Sequence, residues 1–439
     1  MMEIRLTTTT AQAEPLEQTL PLVPDAQGVE NQVVNLYPDV TGQTLEGFGG
    51  AITDAAGYVY AQMPEDKRRQ LMQDYFSEEG LGYRIVRVPM DSCDFSVEMY
   101  EAMSDPADTA LKSFSTQRQF RYILPMLEDA RKAAGGDLEL MLSPWSPPAF
   151  MKDNGERKHG GHLLPRYADM WAHYLCRYIR EFRDRGFRVQ RISVQNEPKA
   201  VQSWDSCLYS AEEERAFILE HLRPAMKWEG LGDIEIFGWD HNKERAYERA
   251  RVLAGAADGI ACHWYSGDHF EALDMIGARW PDMKLVLSES CIEFSKYASD
   301  AEYDNALRLA HELIGDLNHG MNAIYDWNLL LDGQGGPNHV GNFCDAPYLY
   351  DQAADTLIPR AVLKALRHFA HWIRPGAVRI GATRYTDQLD VTAFRNPDGS
   401  MALVLLNKAE QEMPVFLRVE ERLASFILPP RSLTSGIIR

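Results

Sequence analysis

The sequence lacks any pair of cysteines in a CxxC arrangement, although it contains six cysteines. They are scattered along the chain, at Cys93, Cys176, Cys207, Cys262, Cys291 and Cys344. Closely spaced cysteines are what a structural zinc site or the disulfide framework of a small secreted domain requires. We therefore expect the six cysteines to be reduced thiols.

Basic residues are few compared with acidic ones. Lys and Arg total 45, Asp and Glu total 64, and the formal net charge is −19. Nucleic acids and anionic membrane surfaces are bound by clustered Lys and Arg side chains. We therefore expect no nucleic-acid partner, and the charge favours a neutral or cationic small molecule as the ligand.

Long apolar segments are absent as well. No uninterrupted apolar run approaches the roughly 18 residues that a membrane-spanning helix needs. The first 18 residues show no basic segment followed by an apolar core, which is the pattern of a secretory signal. We expect neither membrane insertion nor a secretory leader, and we predict a cytoplasmic location.

Metal-ligand clusters are also missing from the sequence. The segment ERKHGGHLLP brings His159 and His162 close together, but two histidines fall short of a complete ligand set. We predict that the protein uses no metal and no other cofactor.

The chain does contain one pattern eight times over: a short apolar strand that ends in polar or aromatic residues and is usually followed by a helical stretch. The strand segments are Gly47–Ile52, Tyr83–Met90, Leu138–Trp145, Arg191–Pro198, Ile234–Asp240, Gly259–Tyr265, Lys284–Ser290 and Asn322–Asn328. Eight such units predict a (β/α)₈ TIM barrel over residues 44–374.

The pattern changes after about Pro375. Short alternating strands separated by turns follow, for example around the NPDG turn at residues 396–399. We predict that residues 375–439 form a β-sandwich side domain together with the N-terminal residues 1–43, so that both chain termini build it.

Polar residues at the carboxyl ends of barrel strands are candidates for catalysis, because active sites of such barrels lie there. Glu197 in SVQNEPKA ends the fourth predicted strand, and Glu289 in SES ends the seventh. Two carboxylates across a cavity can cleave an acetal, one as the proton donor and the other as the nucleophile or as the base for water. Asp240 ends the fifth strand, where we expect it to organise buried hydrogen bonds. The pattern predicts a glycosidase.

Several longer motifs strengthen this prediction. They are EGFGGAITDAA, YFSEEGLGYRIVRVPMDSCDFS, SPWSPPAFMK, QNEP, HWY, SES, DWNLLL and GGPNHVGNF. The similarity that they carry runs from about Leu45 to the C-terminus. In this order they resemble glycoside hydrolase family 30, and within it the glucosylceramidase branch. The resemblance implies a (β/α)₈ barrel with a β-sandwich and a retaining mechanism on β-linked sugars.

The resemblance also implies roles for single residues. It assigns the acid/base to Glu197, the nucleophile to Glu289, and the contact with the sugar 2-hydroxyl to Asn196. Arg87 and Tyr265 would orient the nucleophile and stabilise its charge. The residues implied to hold the terminal sugar are Asp94, Phe95, Trp145, Trp327 and Asn342.

One segment departs from the glucosylceramidase pattern: KAVQSWDSCLY, residues 199–209, which follows the acid/base. This loop shapes the site beyond the scissile bond, so we do not expect ceramide as the leaving group. Trp204 is predicted to stack on a sugar or an aromatic aglycone. We also expect the negative charge of Glu289 to raise the pKa of Glu197.

Three hypotheses of function follow. The first is an exo-acting β-glycosidase that acts on small glycosides or short oligosaccharides carrying glucose, xylose, fucose or quinovose. The second is an endo-acting enzyme of the same family, either a β-glucanase such as an endo-β-1,6-glucanase or a xylanase. The third, disfavoured because both acids are present, is a carbohydrate-binding protein without activity.

Overall fold

The computed structural model of the protein describes residues 2–12 and 15–439. The strands within these residues are, in chain order, β1 (Glu3–Thr9), β2 (Leu16–Pro21), β3 (Val23–Pro24), β4 (Val33–Thr44), β5 (Gly47–Ala51), β6 (Ile85–Met90), β7 (Glu139–Pro144), β8 (Arg188–Ser193), β9 (Glu235–Asn242), β10 (Gly259–His263), β11 (Lys284–Glu289), β12 (Ala323–Asn328), β13 (Leu330–Asp332), β14 (Tyr348–Asp351), β15 (Thr356–Pro359), β16 (Val378–Thr383), β17 (Leu389–Arg395), β18 (Met401–Asn407), β19 (Met413–Val419), β20 (Arg422–Leu428) and β21 (Ser432–Ile438).

Strands β5 to β12 close into a parallel barrel in which each strand pairs with its neighbours along the chain. Every residue of β6 and β12 is buried. Parallel strands covered on both faces read as continuous apolar runs, which is the pattern that predicted them. The eight predicted strands are all present, and the prediction of a (β/α)₈ barrel is confirmed.

The α-helices are α1 (Asp54–Gln62), α2 (Glu65–Phe76), α3 (Gln117–Ala134), α4 (Ala168–Arg183), α5 (Ala211–Ala216), α6 (Arg223–Trp228), α7 (Ala246–Leu253), α8 (Phe270–Arg279), α9 (Glu302–Asn318) and α10 (Ala361–Ala370). A π-helical segment, Phe217–Leu222, joins α5 to α6, and short 3₁₀ helices lie at Ala149–Met151, Pro165–Tyr167 and Lys243–Arg245. Helix α4 buries Trp171, Leu175, Tyr178 and Phe182, which share one face at helical spacing.

The remaining large sheet joins the two chain ends. Its strand order is β2-β1-β21-β18-β17-β16-β4-β19-β20-β3, and Ile4 of β1 lies opposite Ile438 of β21. The sheet folds over one apolar core, which takes residues such as Leu6, Val391 and Val415 from both of its halves. The prediction of a sandwich built from both termini is confirmed.

Helix α10 connects the barrel to the sandwich through His368. Nε2 of His368 lies 2.8 Å from the Thr9 hydroxyl, and Nδ1 lies 2.9 Å from the Ser435 hydroxyl. Burial lowers the pKa of His368 to about 3, and the nearby charge of Arg367 contributes. The imidazole at this interface is therefore neutral at neutral pH.

A small sheet of β13, β14 and β15 follows the last barrel strand and was not predicted from the sequence. The loop between β13 and β14 reaches over the barrel mouth and carries Asn338 and Asn342. Within residues 2–12 and 15–439, we find no helix with the length and apolarity needed to span a bilayer.

Candidate active site

A cavity of about 230 Å³ opens at the carboxyl ends of the barrel strands. It is lined by every residue predicted to act on the substrate: Asp94, Phe95, Trp145, Asn196, Glu197, Trp204, Tyr265, Glu289, Trp327 and Asn342. Arg87 lies buried beneath it. The fold thus brings the predicted site residues together, although they span about 250 positions of the chain.

Glu289 is the last residue of β11 and is held from two sides. Nη1 of Arg87 donates a hydrogen bond to Oε2 at 2.6 Å, and the Tyr265 hydroxyl donates to Oε1 at 2.9 Å. Arg87 also donates to Asn196 and Asp240 from Nη2, at 2.8 and 2.9 Å. These bonds fix the carboxylate of Glu289, and the guanidinium stabilises its negative charge.

Glu197 does not end a strand, which differs from our prediction. Strand β8 ends at Ser193, and Glu197 lies four residues further on with a φ of +46°. The backbone N–H of Asn196 donates to the Pro144 carbonyl at 2.8 Å, and that of Glu197 donates to the Asp240 carbonyl at 2.9 Å. The chain therefore turns across the barrel mouth between two neighbouring strands and leaves the regular ladder.

Two histidines face the Glu197 carboxylate. Nδ1 of His263 lies 3.3 Å from Oε1 of Glu197 and 3.8 Å from Oε1 of Glu289, while Nδ1 of His241 lies 3.5 Å from Oε1 of Glu197. The other ring nitrogen of His263, Nε2, lies 3.1 Å from Asp240. Burial alone would lower the pKa of His263, but the surrounding carboxylates, Glu289 first, raise it to about 9.

The expectation that Glu289 raises the pKa of Glu197 is wrong for this arrangement. Burial does act to raise that pKa, but the attraction of His241 and His263 outweighs it. The pKa of Glu197 therefore lies well below its usual range. At neutral pH the cluster therefore carries a proton on His263, whose Nδ1 lies 3.3 Å from Oε1 of Glu197.

Asp240 organises this cluster, as expected. It accepts hydrogen bonds from the hydroxyls of Ser193 and Ser288, both at 2.6 Å, and from Arg87. Burial would raise its pKa, but the charges of Arg87 and His263 hold the pKa well below its usual range. The ionised carboxylate therefore holds Arg87 and His263 in fixed positions.

The closed side of the cavity is aromatic and polar. The rings of Trp145 and Trp327 stack at 5.5 Å, and Phe95 meets Trp327 edge-on at 6.0 Å. Asp94 accepts hydrogen bonds from Asn338 and Asn342, at 3.2 and 3.4 Å. Burial first, and the charge of Glu289 second, raise the pKa of Asp94 to about 7. Flat apolar faces beside hydrogen-bonding groups suit a sugar ring.

Sequence reasoning missed several residues around the cavity. They are Gln202, His241, Asn242, Cys291, Glu293, Lys296 and Cys344, which line it, and Asn338, which bonds to Asp94. Asn338 and Cys291 lie in or beside the quoted motifs GGPNHVGNF and SES, so the motifs could have indicated them. His241 has no such signal.

The histidine pair considered in the sequence lies outside this cavity. Nδ1 of His159 lies 2.9 Å from Glu156, and Nδ1 of His162 lies 3.5 Å from Glu213. Both histidine side chains are about half exposed. Each contacts a separate surface carboxylate, and neither takes part in the site.

Comparison with known proteins agrees with this architecture. The glycosyl hydrolase family 30 TIM-barrel domain matches residues 45–373, and the family 30 beta sandwich domain matches residues 376–435. The lysosomal acid glucosylceramidase of Mus musculus is 30% identical over 407 residues, which cover 87% of this chain and 78% of the relative.

Two solved structures are similar over nearly their whole length. SrfJ from Salmonella typhimurium superposes with a TM-score of 0.95 at 34% identity, over 99% of each chain. The endo-beta1,6-glucanase BT3312 superposes with a TM-score of 0.88 at 26% identity, again over 99% of each chain.

Proposed function

The chain belongs to glycosyl hydrolase family 30 and is a hydrolase of glycosidic bonds, and we propose that it is an exo-acting, retaining β-glycosidase. In this proposal Glu289 attacks the anomeric carbon, and Glu197 first protonates the leaving oxygen and then activates water. The substrate is a small β-glycoside or a short oligosaccharide. Glucose is the first sugar to test, because the relative from mouse is named a glucosylceramidase.

The main observation in support of exo action is that one side of the cavity is closed. Phe95, Trp145 and Trp327 are almost fully buried there, and Asp94 and Asn342 cover the space beside them. A cavity of about 230 Å³ is smaller than the roughly 300–1,000 Å³ of most ligand pockets, which favours one sugar unit over a polymer chain.

The retaining mechanism is supported by the placement of the two carboxylates. One nitrogen, Nδ1 of His263, lies 3.3 Å from Glu197 and 3.8 Å from Glu289. Because both carboxylate oxygens lie so near this nitrogen, the separation between the two oxygens cannot reach the upper part of the range of about 6.5–9.5 Å found in inverting glycosidases. A separation of about 5–5.5 Å, typical of retaining enzymes, is compatible with them.

Catalysis would proceed in two steps. Arg87 and Tyr265 hold the Glu289 carboxylate towards the sugar, and the proton held by Glu197 and His263 passes to the leaving oxygen. Glu289 then carries the glycosyl ester, and its negative charge is lost. Glu197 is free to take a proton from water, and the hydroxide formed cleaves the ester with net retention.

An endo-β-1,6-glucanase is the second candidate, because the 26% identical structure with a TM-score of 0.88 bears that name. End-labelled β-1,6-linked gluco-oligosaccharides distinguish the two. With the label on the reducing end, exo action first gives free glucose and only the labelled oligosaccharide that is one unit shorter, whereas early labelled products of mixed length would overturn it in favour of the endoglucanase.

The sugar itself is identified with nitrophenyl β-glycosides of glucose, xylose, fucose and quinovose. When a pocket hydrogen-bonds a substrate hydroxyl, an analogue without that hydroxyl can have a kcat/KM lower by about 10⁴- to 10⁵-fold. We expect the glucoside to give the highest kcat/KM. A higher value for the xyloside, fucoside or quinovoside would reassign the substrate.

A further inference from the structure

The wall of the cavity beside Glu197 contains two imidazole nitrogens that face the same carboxylate oxygen. Among the described residues, Nδ1 of His241 and Nδ1 of His263 make no hydrogen bond of good geometry. They lie 3.5 and 3.3 Å from Oε1 of Glu197. The His263 side chain is 0% exposed and that of His241 only 13%. Buried polar atoms without partners are costly, so this arrangement calls for an explanation.

The distances fit a zinc coordination sphere. Zinc binds imidazole nitrogen at about 2.0–2.1 Å and carboxylate oxygen at about 2.0–2.2 Å in a tetrahedron, which puts neighbouring ligand atoms roughly 3.3 Å apart. The two nitrogen-to-oxygen separations of 3.3 and 3.5 Å match that edge. Ligand atoms of all three residues lie within 4.8 Å of one another.

Asp240 supplies the outer support that a histidine ligand needs. It lies 3.1 Å from Nε2 of His263 and is itself fixed by Arg87, Ser193 and Ser288. A neutral imidazole that donates Nε2–H to this carboxylate presents the lone pair of Nδ1 towards Glu197. Carboxylate–histidine pairs of this kind orient the ligand and raise its basicity in zinc sites.

We propose that Glu197, His241 and His263 form a binding site for a zinc-class divalent cation, and that the cation switches off the enzyme by occupying the acid/base carboxylate. Two imidazoles and one carboxylate suit zinc, whereas magnesium and calcium prefer sites made entirely of oxygen. On binding, the cation displaces the proton held in the cluster, which passes to solvent. From the sequence we expected no metal site, because no complete cluster of ligands is visible there.

The inhibitory part of this inference rests on the proposed function, but cation binding itself does not. Turnover requires no cation, since carboxylates perform the proposed chemistry. A cation on Glu197 prevents it from protonating the leaving oxygen, and the space it takes lies in the same cavity as the substrate. We therefore expect zinc to inhibit and a chelator to restore activity.

Binding is measured first, on the full chain after chelator treatment. Calorimetry with ZnCl₂ at about pH 8, where the ligands deprotonate more readily, should give one tight site. Co²⁺ should replace zinc and give the visible absorption of a site with nitrogen ligands. His241→Asn should lower the affinities for zinc and for Co²⁺ by more than the ~10- to 100-fold that loss of an outer-shell partner costs. Glu197→Gln should lower both affinities as well. This second variant tests the site even if His241→Asn fails to fold.

Two control variants test other ligands. Cys291→Ser removes a thiol that lines the same cavity, and His159→Asn removes a surface histidine that pairs with Glu156. Both should keep the zinc affinity of the parent protein. Zinc affinity that is lost in Cys291→Ser but kept in His241→Asn and Glu197→Gln would overturn the site, as would the absence of tight zinc binding to the parent protein.

Turnover of nitrophenyl β-glucoside separates this inference from the proposed function. The expected result is loss of turnover with one equivalent of zinc, recovery with chelator, and full turnover in His159→Asn. Zinc binding without any turnover of the tested glycosides would contradict the proposed function and leave the site intact. Turnover that persists when the site is saturated with zinc would overturn the inhibitory role.

Discussion

Arg87 holds together the charged groups of the candidate active site. It is fully buried, and its Nη atoms donate to Glu289, Asn196 and Asp240. Its guanidinium carbon lies 4.9 Å from the ring centroid of Trp145, so the cation also meets an aromatic face. Glu197 faces imidazoles instead. The two glutamates therefore have different surroundings, one suited to attack as a carboxylate and the other to exchange a proton.

The two roles can be separated by stereochemistry. In Glu197→Ala, a substrate with a good leaving group still forms the ester with Glu289, but the intermediate accumulates because water lacks its base. Azide is already ionised, so it should attack from the face that Glu197 vacated and yield the β-glycosyl azide with recovery of rate. In Glu289→Ala, azide should replace the nucleophile and yield the α-glycosyl azide.

The anomeric proton coupling of each product, read by NMR, decides between the assignments. An α-azide from Glu197→Ala, or a β-azide from Glu289→Ala, would reverse them and make Glu197 the nucleophile. Wild-type protein with azide is the control and should release the hydrolysed sugar.

Tyr265→Phe removes the hydroxyl that donates to Glu289 at 2.9 Å. A hydrogen bond to a charged group contributes about 1.5–3 kcal/mol, which corresponds to a decrease in kcat/KM of roughly 10- to 150-fold. We expect most of the loss in kcat. Tyr385→Phe is a matched control in the sandwich, where the hydroxyl donates to the Pro414 carbonyl, and its kinetics should equal those of the parent. Equal kinetics for Tyr265→Phe would contradict the orienting role.

Strand β9 contains the irregularity that builds the cluster around Glu197. Its pairing with β10 passes from Trp239 opposite Ala261 to His241 opposite Cys262, so Asp240 is an extra, unpaired residue. Trp239 and Asp240 both have positive φ values, 72° and 45°. Adjacent residues of a regular strand point to opposite faces, but this bulge lets Asp240 bind Arg87 while His241 lines the cavity.

Strand β5 depends on a glycine where it meets the next strand. Gly49 pairs with Ile85 of β6, and a Cβ at Gly49 would overlap the Ile85 carbonyl. Gly49→Ala should therefore lower the free energy of unfolding by about 3 kcal/mol or more, because backbone must move. Thermal unfolding and soluble yield measure this effect.

Helix α8 offers the matched control, Gly277→Ala. Gly277 is exposed, and no atom lies within 4 Å of its added Cβ among the described residues. Alanine favours the helix over glycine by about 0.8–1 kcal/mol, so this variant should be as stable as the parent or more stable. A Gly49→Ala variant as stable as Gly277→Ala would show that β5 and β6 are not packed this closely.

The barrel and the sandwich share a continuous core. Phe394, Val404 and Leu433 of the sandwich belong to the same apolar cluster as Leu309 and Leu313 of helix α9. Burial of this apolar surface resists separation of the two domains. Hydrogen bonds of the neutral His368 to Thr9 and Ser435 lie within the same contact region.

This interface should make the whole molecule sensitive to acid. The pKa of His368 is about 3 in the folded protein and about 6.5 in the unfolded chain, so the unfolded chain binds the proton more readily. The contribution of the neutral imidazole is complete above about pH 6.5 and decreases as the pH falls towards 3. By about pH 5 the loss amounts to roughly 2 kcal/mol.

His368→Leu tests this linkage through the difference in unfolding temperature from the parent protein. The variant should be less stable at neutral pH, because two hydrogen bonds are lost, and its disadvantage should shrink as the pH falls below 6.5. Leu366→Ala, which removes buried apolar atoms from the same helix and no titratable group, should show a difference that stays nearly constant with pH. A constant difference for His368→Leu would show that His368 does not titrate in this way.

The sequence by itself determined the barrel, the sandwich and the residues gathered at the barrel mouth. The eight apolar segments indicate strands that are buried on both faces. This pattern can be recognised in the sequence because it depends on residues close together in the chain. Polar residues such as Glu289 at the strand ends must then meet, because parallel strands of a closed barrel end at one rim. The family motifs identified Asp94, Trp145 and Trp327 from the sequence, because each motif is a short continuous segment.

Only the tertiary structure decided what surrounds Glu197. His241 and His263 come from two other strands, and the bulge at Asp240 shifts β9 by one residue, which periodicity along one segment does not reveal. The electrostatic effect of a group depends on separations of a few ångströms in a buried site. From the negative charge of Glu289 alone, we predicted a raised pKa for Glu197. The imidazoles of His263 and His241, whose Nδ1 atoms lie 3.3 and 3.5 Å from Oε1 of Glu197, lower that pKa instead. Spatial proximity, and not the order of residues, set the sign of that shift.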